Sequence, residues 1–169
     1  YETSSFKNFH EYIQGDPRFS MKRTHRELVK VWAKKEFANL RKAYEAGVRV
    51  PEPLACKDNV VMMEFLGEKG VPFPSLEEVV VEDPAAIYKD VLSSARTLYQ
   101  KAHLVHADLS SFNILYHRKA FLIDWAQAVL LEHPRSGAFL ERDAHNLARF
   151  FNRAGLSVDP GRILKEIKD

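Results

Sequence analysis

Cysteine is nearly absent from this sequence, and its scarcity excludes two kinds of stabilisation. Cys56 stands alone, so the chain can form no disulfide within itself and no zinc site built from several thiolates. The sequence also contains no apolar run near the roughly 20 residues that a membrane-spanning helix requires, and it opens on no basic-then-apolar leader. We therefore expect a cytoplasmic protein, in a reducing compartment, with no membrane partner.

A strong charge of one sign is missing too. The formal net charge is +2, so charge alone does not indicate nucleic acid or an anionic membrane as a partner. Apolar residues make up 46% and charged residues 28%, which favours a globular domain over low-complexity disorder. One local basic cluster is present, and we interpret it as a solvated segment, with a dock for a phosphorylated or nucleic-acid partner as the alternative. Its members are Lys22, Arg23, His25 and Arg26.

Apolar spacing predicts a helical protein with a few short strands. Apolar residues recur every three or four positions over residues 26–46, which predicts a helix, and a continuous apolar run predicts a buried strand over 59–65. Asp83 followed by Pro84 is typical of a helix start. This second helix should run to about residue 102.

The second half of the chain adds a predicted hairpin and two helices. Short apolar segments at 114–116 and 121–123 are joined through the polar residues His117, Arg118 and Lys119, which favours a hairpin. Residues 141–152 should form a helix, and a last helix should follow Pro160. Glycine and proline between residues 67 and 74 indicate a flexible connection and a boundary between two lobes.

Three polar side chains flank the predicted hairpin in a pattern that suits phosphoryl transfer. Asp108 and Asn113 lie in a polar loop before the hairpin, and Asp124 follows its second strand. Because a hairpin folds back on itself, Asn113 and Asp124 should converge. Their oxygens suit Mg²⁺, while Asp108 would orient an attacking hydroxyl or water and accept its proton.

The same residues resemble a known catalytic motif. Protein kinases carry H-R-D-x-x-x-x-N followed by D-F-G. Here the letters are H-A-D-L-S-S-F-N at 106–113 and D-W-A at 124–126. The differences from the protein-kinase motif resemble the motifs of the RIO kinases. The catalytic loop of that family reads L-V-H-A-D-L-S-x-x-N, and its metal-binding segment reads I-D-x-x-Q-A.

Further segments carry the resemblance along nearly the whole chain. Residues 32–40 resemble the W-A-x-K-E-[FY]-x-N-L helix of the RIO family, 50–53 its V-P-x-P turn, and 63–67 its M-E-F-[IL]-G hinge. The segments at 2–6 and 139–143 also fit. The chain is therefore identified as a member of the RIO family of atypical protein kinases, most similar to archaeal members of the Rio-one subfamily.

The resemblance implies an α+β, protein-kinase-like fold. Residues 1–71 would form an incomplete N-lobe with an αC-like helix and the hinge, and residues 72–169 a mostly helical C-lobe with the catalytic loop and metal-binding segment. In the family a glycine-rich loop and a catalytic lysine precede the segment that matches 2–6, so we expect both upstream of Tyr1. Without them this polypeptide should bind nucleotide poorly and catalyse little.

The resemblance also implies a role for each site residue. Asp108 would be the catalytic aspartate. Asn113 and Asp124 would bind Mg²⁺ or Mn²⁺, and Asp124 would also be a phosphoacceptor, as some family members are thought to phosphorylate this aspartate.

The nucleotide would be held by the helix and the hinge. Glu36 would pair with the upstream lysine, and Met63 would be the gatekeeper residue behind the adenine of ATP. The backbone of Glu64 and Leu66 would bind the adenine edge. Outside the site, we expect His106 to buttress the catalytic loop, and Arg142 and Asp143 to tie it to the C-terminal helices.

The function implied is ATP-dependent phosphoryl transfer to protein serine, including autophosphorylation, in maturation of the small ribosomal subunit. The partners would be ATP and a pre-small-subunit ribosomal particle, with the protein substrate left open. One alternative is an ATPase switch that acts as a ribosome assembly factor. Another is a small-molecule phosphotransferase of the aminoglycoside or choline type, which shares the catalytic loop but not the helix and hinge motifs.

Overall fold

The computed structural model describes residues 9–20 and 24–169. The predicted strand end at residues 1–6, the family match at 2–6, and the basic residues Lys22 and Arg23 lie outside the described residues. A short helix, α1 (Phe9–Ile13), precedes the long helix α2 (His25–Glu45), close to the predicted 26–46. Thr24 caps α2 by accepting a hydrogen bond from the backbone N–H of Glu27, the N-terminal signal expected of a helix.

The buried face of α2 differs from the predicted apolar stripe. Tyr44, predicted on that stripe, is 45% exposed. The buried face instead carries three polar residues, Lys35, Glu36 and Asn39, beside Trp32 and Leu40. The pattern misled because Lys35 and Asn39 are buried against loop backbone rather than against apolar side chains.

An antiparallel ribbon packs on α2. Strand β1 (Pro53–Lys57) pairs with β2 (Val60–Met63), which confirms the position of the predicted strand. Its predicted burial is wrong: Val60 is 60% and Met62 57% exposed. Alternate side chains of a strand point to opposite faces, and among the described residues only one face of β2 packs on α2.

A small hairpin follows the ribbon. Strand β3 (Gly67–Glu68) pairs with β4 (Val71–Pro72), so the predicted lobe boundary between residues 71 and 72 falls inside β4. A Cβ on Gly67 would lie 2.2 Å from the carbonyl oxygen of Val71, so this close approach requires glycine.

The helix predicted from Asp83 forms the centre of the second half. Helix α3 (Pro84–Gln100) is capped by the Asp83 carboxylate, which accepts a hydrogen bond from the backbone N–H of Ala86. Strand β5 (Leu104–Val105) follows and pairs with β8 (Val129–Leu130), a pairing that apolar spacing did not predict.

The predicted hairpin is present as β6 (Ile114–His117) and β7 (Lys119–Leu122), with Arg118 in the turn at φ +59°. Together β5–β8 place the predicted catalytic residues in the loops between them. Those loops face the ribbon and α2.

Two helices complete the chain. Helix α4 (Ser136–Arg153) begins five residues before the predicted position, and α5 (Pro160–Lys168) begins at the predicted proline. Ser136 and Gly137 are weak helix formers, but Phe139, 2% exposed and stacked on Tyr12 at 5.1 Å, fixes the first turn of α4 by packing. No helix within 9–20 and 24–169 has the length and apolarity to cross a bilayer.

One hydrophobic core runs through the molecule. Helices α3, α4 and α5 pack against one another, and the core continues to Leu40 and Ala43 of α2. Its largest fully buried apolar side chains come from α1, α2, β5, β6, β7, α4 and the loops between elements: Ile13, Leu40, Leu76, Leu104, Leu109, Ile114, Leu122, Trp125, Phe139, Leu147 and Phe151. This core supports the loops that carry the predicted chemistry.

Candidate active site

The structure brings the predicted catalytic and metal-binding residues together. The side-chain amide of Asn113 donates to the carbonyl oxygen of Asp108 at 2.8 Å and to its carboxylate at 3.1 Å. The carbonyl oxygen of Asn113 accepts the N–H of Ile123 at 3.0 Å, which places Asp124 directly beyond the pair. Gln127 also donates to the Asp108 carboxylate, at 3.2 Å. The hairpin therefore closes the site as its spacing predicted.

Helix α4 fixes the backbone of the catalytic loop. Ala107 has φ +64°, a conformation that costs a residue with a side chain free energy. The two carboxylate oxygens of Asp143 accept the N–H groups of Ala107 and Leu109 at 2.8 and 2.9 Å, and Arg142 donates to the carbonyl oxygen of Ala107. The predicted tie between Arg142, Asp143 and the loop is confirmed.

The ionisation of Asp143 reflects two opposing influences. Burial raises the pKa of Asp143 to about 7, while the N–H donors and Arg142 act to lower it. Each backbone N–H donates to one oxygen of Asp143, and the ionised carboxylate accepts at both oxygens. The same group therefore supports the strained loop and is sensitive to anything that changes its burial.

His106 buttresses the loop from below, as predicted. The ring is 1% exposed, and burial lowers the pKa of His106 to about 4, so the imidazole is neutral near pH 7. Its Nε2 lies 3.0 Å from the carbonyl oxygen of Ile123. Because a carbonyl only accepts, Nε2 carries the proton and donates it, which joins the catalytic loop to the residue before Asp124.

Helix α2 holds the segment after Asp124. The buried ammonium of Lys35 donates to the carbonyl oxygens of Ala126, at 3.0 Å, and Ala128. Asn39, one turn further along, donates to those of Trp125 and Ala128 at 3.0 and 2.7 Å. No role was predicted for Lys35 or Asn39. Their spacing of four residues places them on one helix face, but the sequence does not show that this face is buried.

The pKa values of both carboxyl groups in the site are raised, for partly different reasons. Partial burial and the nearby charge of Asp124 raise the pKa of Asp108, against Arg142 and the Asn113 amide. Asp124 is exposed by surface area, yet the protein atoms around its carboxyl group raise its pKa by desolvation, against the N–H of Ala126. A raised pKa brings Asp108 closer to the range in which a carboxylate accepts a proton efficiently.

A cleft of about 320 Å³ opens between the ribbon, the hinge and the β6–β7 hairpin. The predicted nucleotide-binding residues all line it, together with Asp124. These are Glu36, Met63, Glu64 and Leu66. The remaining wall is mostly apolar, as expected for a site that encloses a flat aromatic base.

The hinge backbone presents one donor and one acceptor to this cleft. The N–H of Glu64 donates a hydrogen bond to the carbonyl oxygen of Glu52, and the carbonyl oxygen of Leu66 accepts one from the N–H of Phe73, both at 2.9 Å. Among the described residues the carbonyl of Glu64 and the N–H of Leu66 have no backbone partner. An acceptor and a donor two residues apart match the edge of adenine, which offers an amino group beside a ring nitrogen.

The donor set for a metal ion is small. Between residues 9 and 20 and from 24 onwards, no three His, Cys, Asp or Glu side chains are close enough to hold an ion. Asn113 uses its N–H₂ group on Asp108, and its amide oxygen has no hydrogen-bond partner among the described residues. One amide oxygen and the Asp124 carboxylate fit Mg²⁺, which keeps several waters and shares phosphate oxygens with a substrate.

The helical half, the hinge cleft and the convergent Asp–Asn–Asp group define a phosphotransferase of the protein-kinase fold. The chain belongs to the RIO family, since the model of the RIO domain matches residues 1–163. This confirms the family resemblance and the fold class.

Its relatives are named kinases. The RIO-type serine/threonine-protein kinase Rio1 of Thermoplasma acidophilum is 41% identical over 98% of this chain and 88% of its own length. The serine/threonine-protein kinase RIO1 of Saccharomyces cerevisiae is 38% identical over 97% of this chain and 36% of its own. The chain thus spans most of the first relative and about a third of the second.

Solved structures show the same fold. The Rio2 kinase of Chaetomium thermophilum superposes with a TM-score of 0.71 and 29% identity over 89% of this chain and 52% of that one. The Rio2 kinase–ADP/Mg²⁺–phosphoaspartate complex from the same organism gives 0.70 and 28%, over 89% of this chain and 51% of that one.

Proposed function

We propose that this domain, in the full-length natural protein with the expected upstream lysine, transfers the γ-phosphoryl group of ATP to a serine of a protein, itself included. The observation that carries the proposal is the convergence of Asp108, Asn113 and Asp124 at one end of the hinge cleft. The serine/threonine kinase names of the relatives support it. A bound Mg²⁺ or Mn²⁺ would supply neutralisation of phosphate charge.

The residues of the chain divide the work. Asp108 orients the acceptor hydroxyl and takes its proton, helped by a pKa that burial and the nearby Asp124 raise. Asn113 and Asp124 offer oxygens to the cation. Met63 closes the back of the adenine site, and the hinge backbone fixes the base, so that the triphosphate is directed toward Asp108.

An ATPase switch is the second candidate. The Rio2 relative was captured with ADP, Mg²⁺ and a phosphoaspartate. Asp124 is the exposed carboxylate of this site and lines the cleft. Its position suits a phosphoacceptor from which water later removes the phosphoryl group as inorganic phosphate. In this version the nucleotide state would govern binding to a pre-small-subunit ribosomal particle in the cytoplasm, and both partner and location remain proposals from the resemblance.

The decisive experiment uses the full-length natural protein. Asp108→Asn should lower the rate of phosphoryl transfer from radiolabelled ATP to protein by at least about 100-fold, the contribution of a positioned general base. Asp58→Asn is the matched control, because Asp58 lies in the β1–β2 turn and pairs with Lys30. Unchanged turnover in Asp108→Asn would contradict the proposal.

The alternatives are separated by the acceptor of the phosphoryl group. Stable label on serine supports the kinase, whereas release of inorganic phosphate that particles accelerate supports the switch. Label on an aminoglycoside or on choline, with none on protein, would revive the small-molecule phosphotransferase. Label that neutral hydroxylamine releases, as it does not release label from phosphoserine, would identify the phosphoaspartate, and Asp124→Asn should abolish it.

A further inference from the structure

A second groove lies beside the catalytic loop, away from the hinge cleft. It has a volume of about 230 Å³ and runs between the 3₁₀ turn Ser111–Asn113, the C-terminal half of α4 and Glu77. None of its lining residues lines the hinge cleft. The groove is therefore a separate feature that nucleotide binding leaves unexplained.

Two aromatic rings, those of Phe112 and Phe150, line this otherwise polar groove. Phe112 is 65% exposed although it directly precedes Asn113 in the catalytic loop. Phe150, 8% exposed, forms the floor, with the guanidinium of Arg153 6.0 Å from its ring centre. The exposed ring of Phe112 therefore offers an apolar contact to a molecule bound beside Asn113.

The charge of the groove is positive. Glu77 accepts hydrogen bonds from the Ser111 hydroxyl at 2.6 Å and from Arg153 at 2.9 Å, so its charge is already neutralised. Arg149 is exposed and lines the groove, and it has no hydrogen bond or ion pair with any described residue. One cation thus remains available for an acidic partner.

The groove is within reach of a chain seated at Asp108. The Asn113 amide touches the Asp108 carboxylate, and Phe112 is the next residue along the backbone. An extended peptide advances roughly 3.3 to 3.6 Å per residue. A substrate whose serine meets Asp108 therefore places residues within about four positions of that serine over the groove.

We infer that this groove binds the polypeptide substrate and selects an apolar side chain on Phe112 and an acidic side chain on Arg149, within about four residues of the acceptor serine. The inference rests on the proposed kinase function and adds to it a preference for acidic, apolar sequences around the target. Arg153, bonded to Glu77, stabilises the groove wall, and Arg149 pairs with the acidic side chain of the substrate.

The test uses serine peptides that differ at single positions. Each peptide carries Leu beside the serine and either Glu or Lys at one of the four positions on each side, and kcat/KM is measured with the full-length natural protein. The wild type should favour Glu over Lys by about tenfold at one position, the ratio that 1.4 kcal/mol provides. Arg149→Glu should reverse that preference at the same position.

Matched controls distinguish an effect of the groove from a general effect of changing the charge of the protein. Lys89→Glu makes the same charge change on the exposed side of α3 and should keep the wild-type preference. Phe112→Ala should raise KM for the Leu peptides more than it lowers kcat, because Phe112 contacts substrate but no reacting atom. Fluorescence anisotropy of labelled peptides gives affinities that do not depend on turnover, and should show the same ranking.

The outcomes distinguish the two levels of inference. Phosphorylation that depends on Asp108, with a Glu-to-Lys ratio that Arg149→Glu leaves unchanged, would overturn the groove while the kinase stands. If a short single-stranded RNA binds more tightly than every Glu peptide, and Arg149→Glu abolishes that binding, the groove takes nucleic acid and the inference is wrong. Peptide binding without any transfer, reversed by Arg149→Glu, would keep the groove and overturn the kinase.

Discussion

The backbone conformation of Ala107 sets the position of Asp108 in the candidate active site. Ala107 has a positive φ directly before Asp108, and it is held on both sides, by Asp143 at its N–H and by Arg142 at its carbonyl. A conformation of this kind persists only when its surroundings determine it. The supporting residues therefore matter to the reaction although they touch no substrate.

Replacing Asp143 tests that support. Asp143→Asn keeps the shape but turns one oxygen into an N–H₂ group, which faces a backbone N–H instead of accepting from it. An unsatisfied buried donor costs about 1–3 kcal/mol. We expect that loss in the free energy of unfolding measured with urea, together with a fall in kcat.

Glu141→Gln is the control for this prediction, since Glu141 is exposed on the same helix. If both variants unfold at the same urea concentration and turn over equally, Asp143 does not hold the loop.

The convergence of Asp108, Asn113 and Asp124 was predictable at this scale because the three residues flank one hairpin. Their catalytic and metal-binding roles stay predictions from the family resemblance. The strain at Ala107 could not be predicted, because alanine carries no signal for a positive φ and the cause lies in Asp143, 36 residues away.

Helix α2 and the segment after Asp124 act together at the scale of elements. Lys35 and Asn39 bind carbonyl oxygens of residues 125, 126 and 128, while the neighbouring Glu36 lines the hinge cleft. A shift of α2 would therefore move a nucleotide-facing group and the backbone next to Asp124 at once. The helix was predictable from its periodicity, but its buried polar face was not, since an amphipathic pattern assumes that buried means apolar.

The buried ammonium of Lys35 predicts a dependence of stability on pH. Burial lowers the pKa of Lys35 to about 7, below its value in the unfolded chain. Between pH 7 and pH 9 the unfolded state then binds more protons than the folded state, so stability rises with pH by up to about 1.4 kcal/mol per unit. Lys35→Met removes this titration. The gap, defined as the unfolding free energy of the wild type minus that of the variant, should therefore rise with pH.

Urea unfolding at pH 7, 8 and 9 measures the gap, with Lys34→Met as the control because Lys34 is exposed. A gap that stays constant for Lys35→Met, or widens equally for Lys34→Met, would show that Lys35 does not titrate in this range.

At the scale of the whole molecule the hinge cleft joins parts that are distant in sequence. Glu36 comes from α2, Met63 and Leu66 from the ribbon and hinge, and Asp124 from the end of the β6–β7 hairpin. The order of motifs along the chain predicted this assembly through the family resemblance. Composition and periodicity alone predicted the helices and the hairpin but neither the β5–β8 pairing nor the exposed face of β2, because both depend on which elements meet.

A ligand that bridges these parts should stabilise the protein as a whole. A non-hydrolysable ATP analogue with Mg²⁺, at 100 times its dissociation constant, should add about 2.7 kcal/mol to the free energy of unfolding. Met63→Ala should weaken nucleotide binding by roughly tenfold, since a lost side-chain contact of this size is worth about 1.4 kcal/mol. Met62→Ala is the matched control, because Met62 precedes Met63 on β2 but points to the opposite, exposed face. Thermal unfolding of the full-length natural protein over a range of analogue concentrations gives both affinities, and equal losses in the two variants would show that adenine does not sit against Met63.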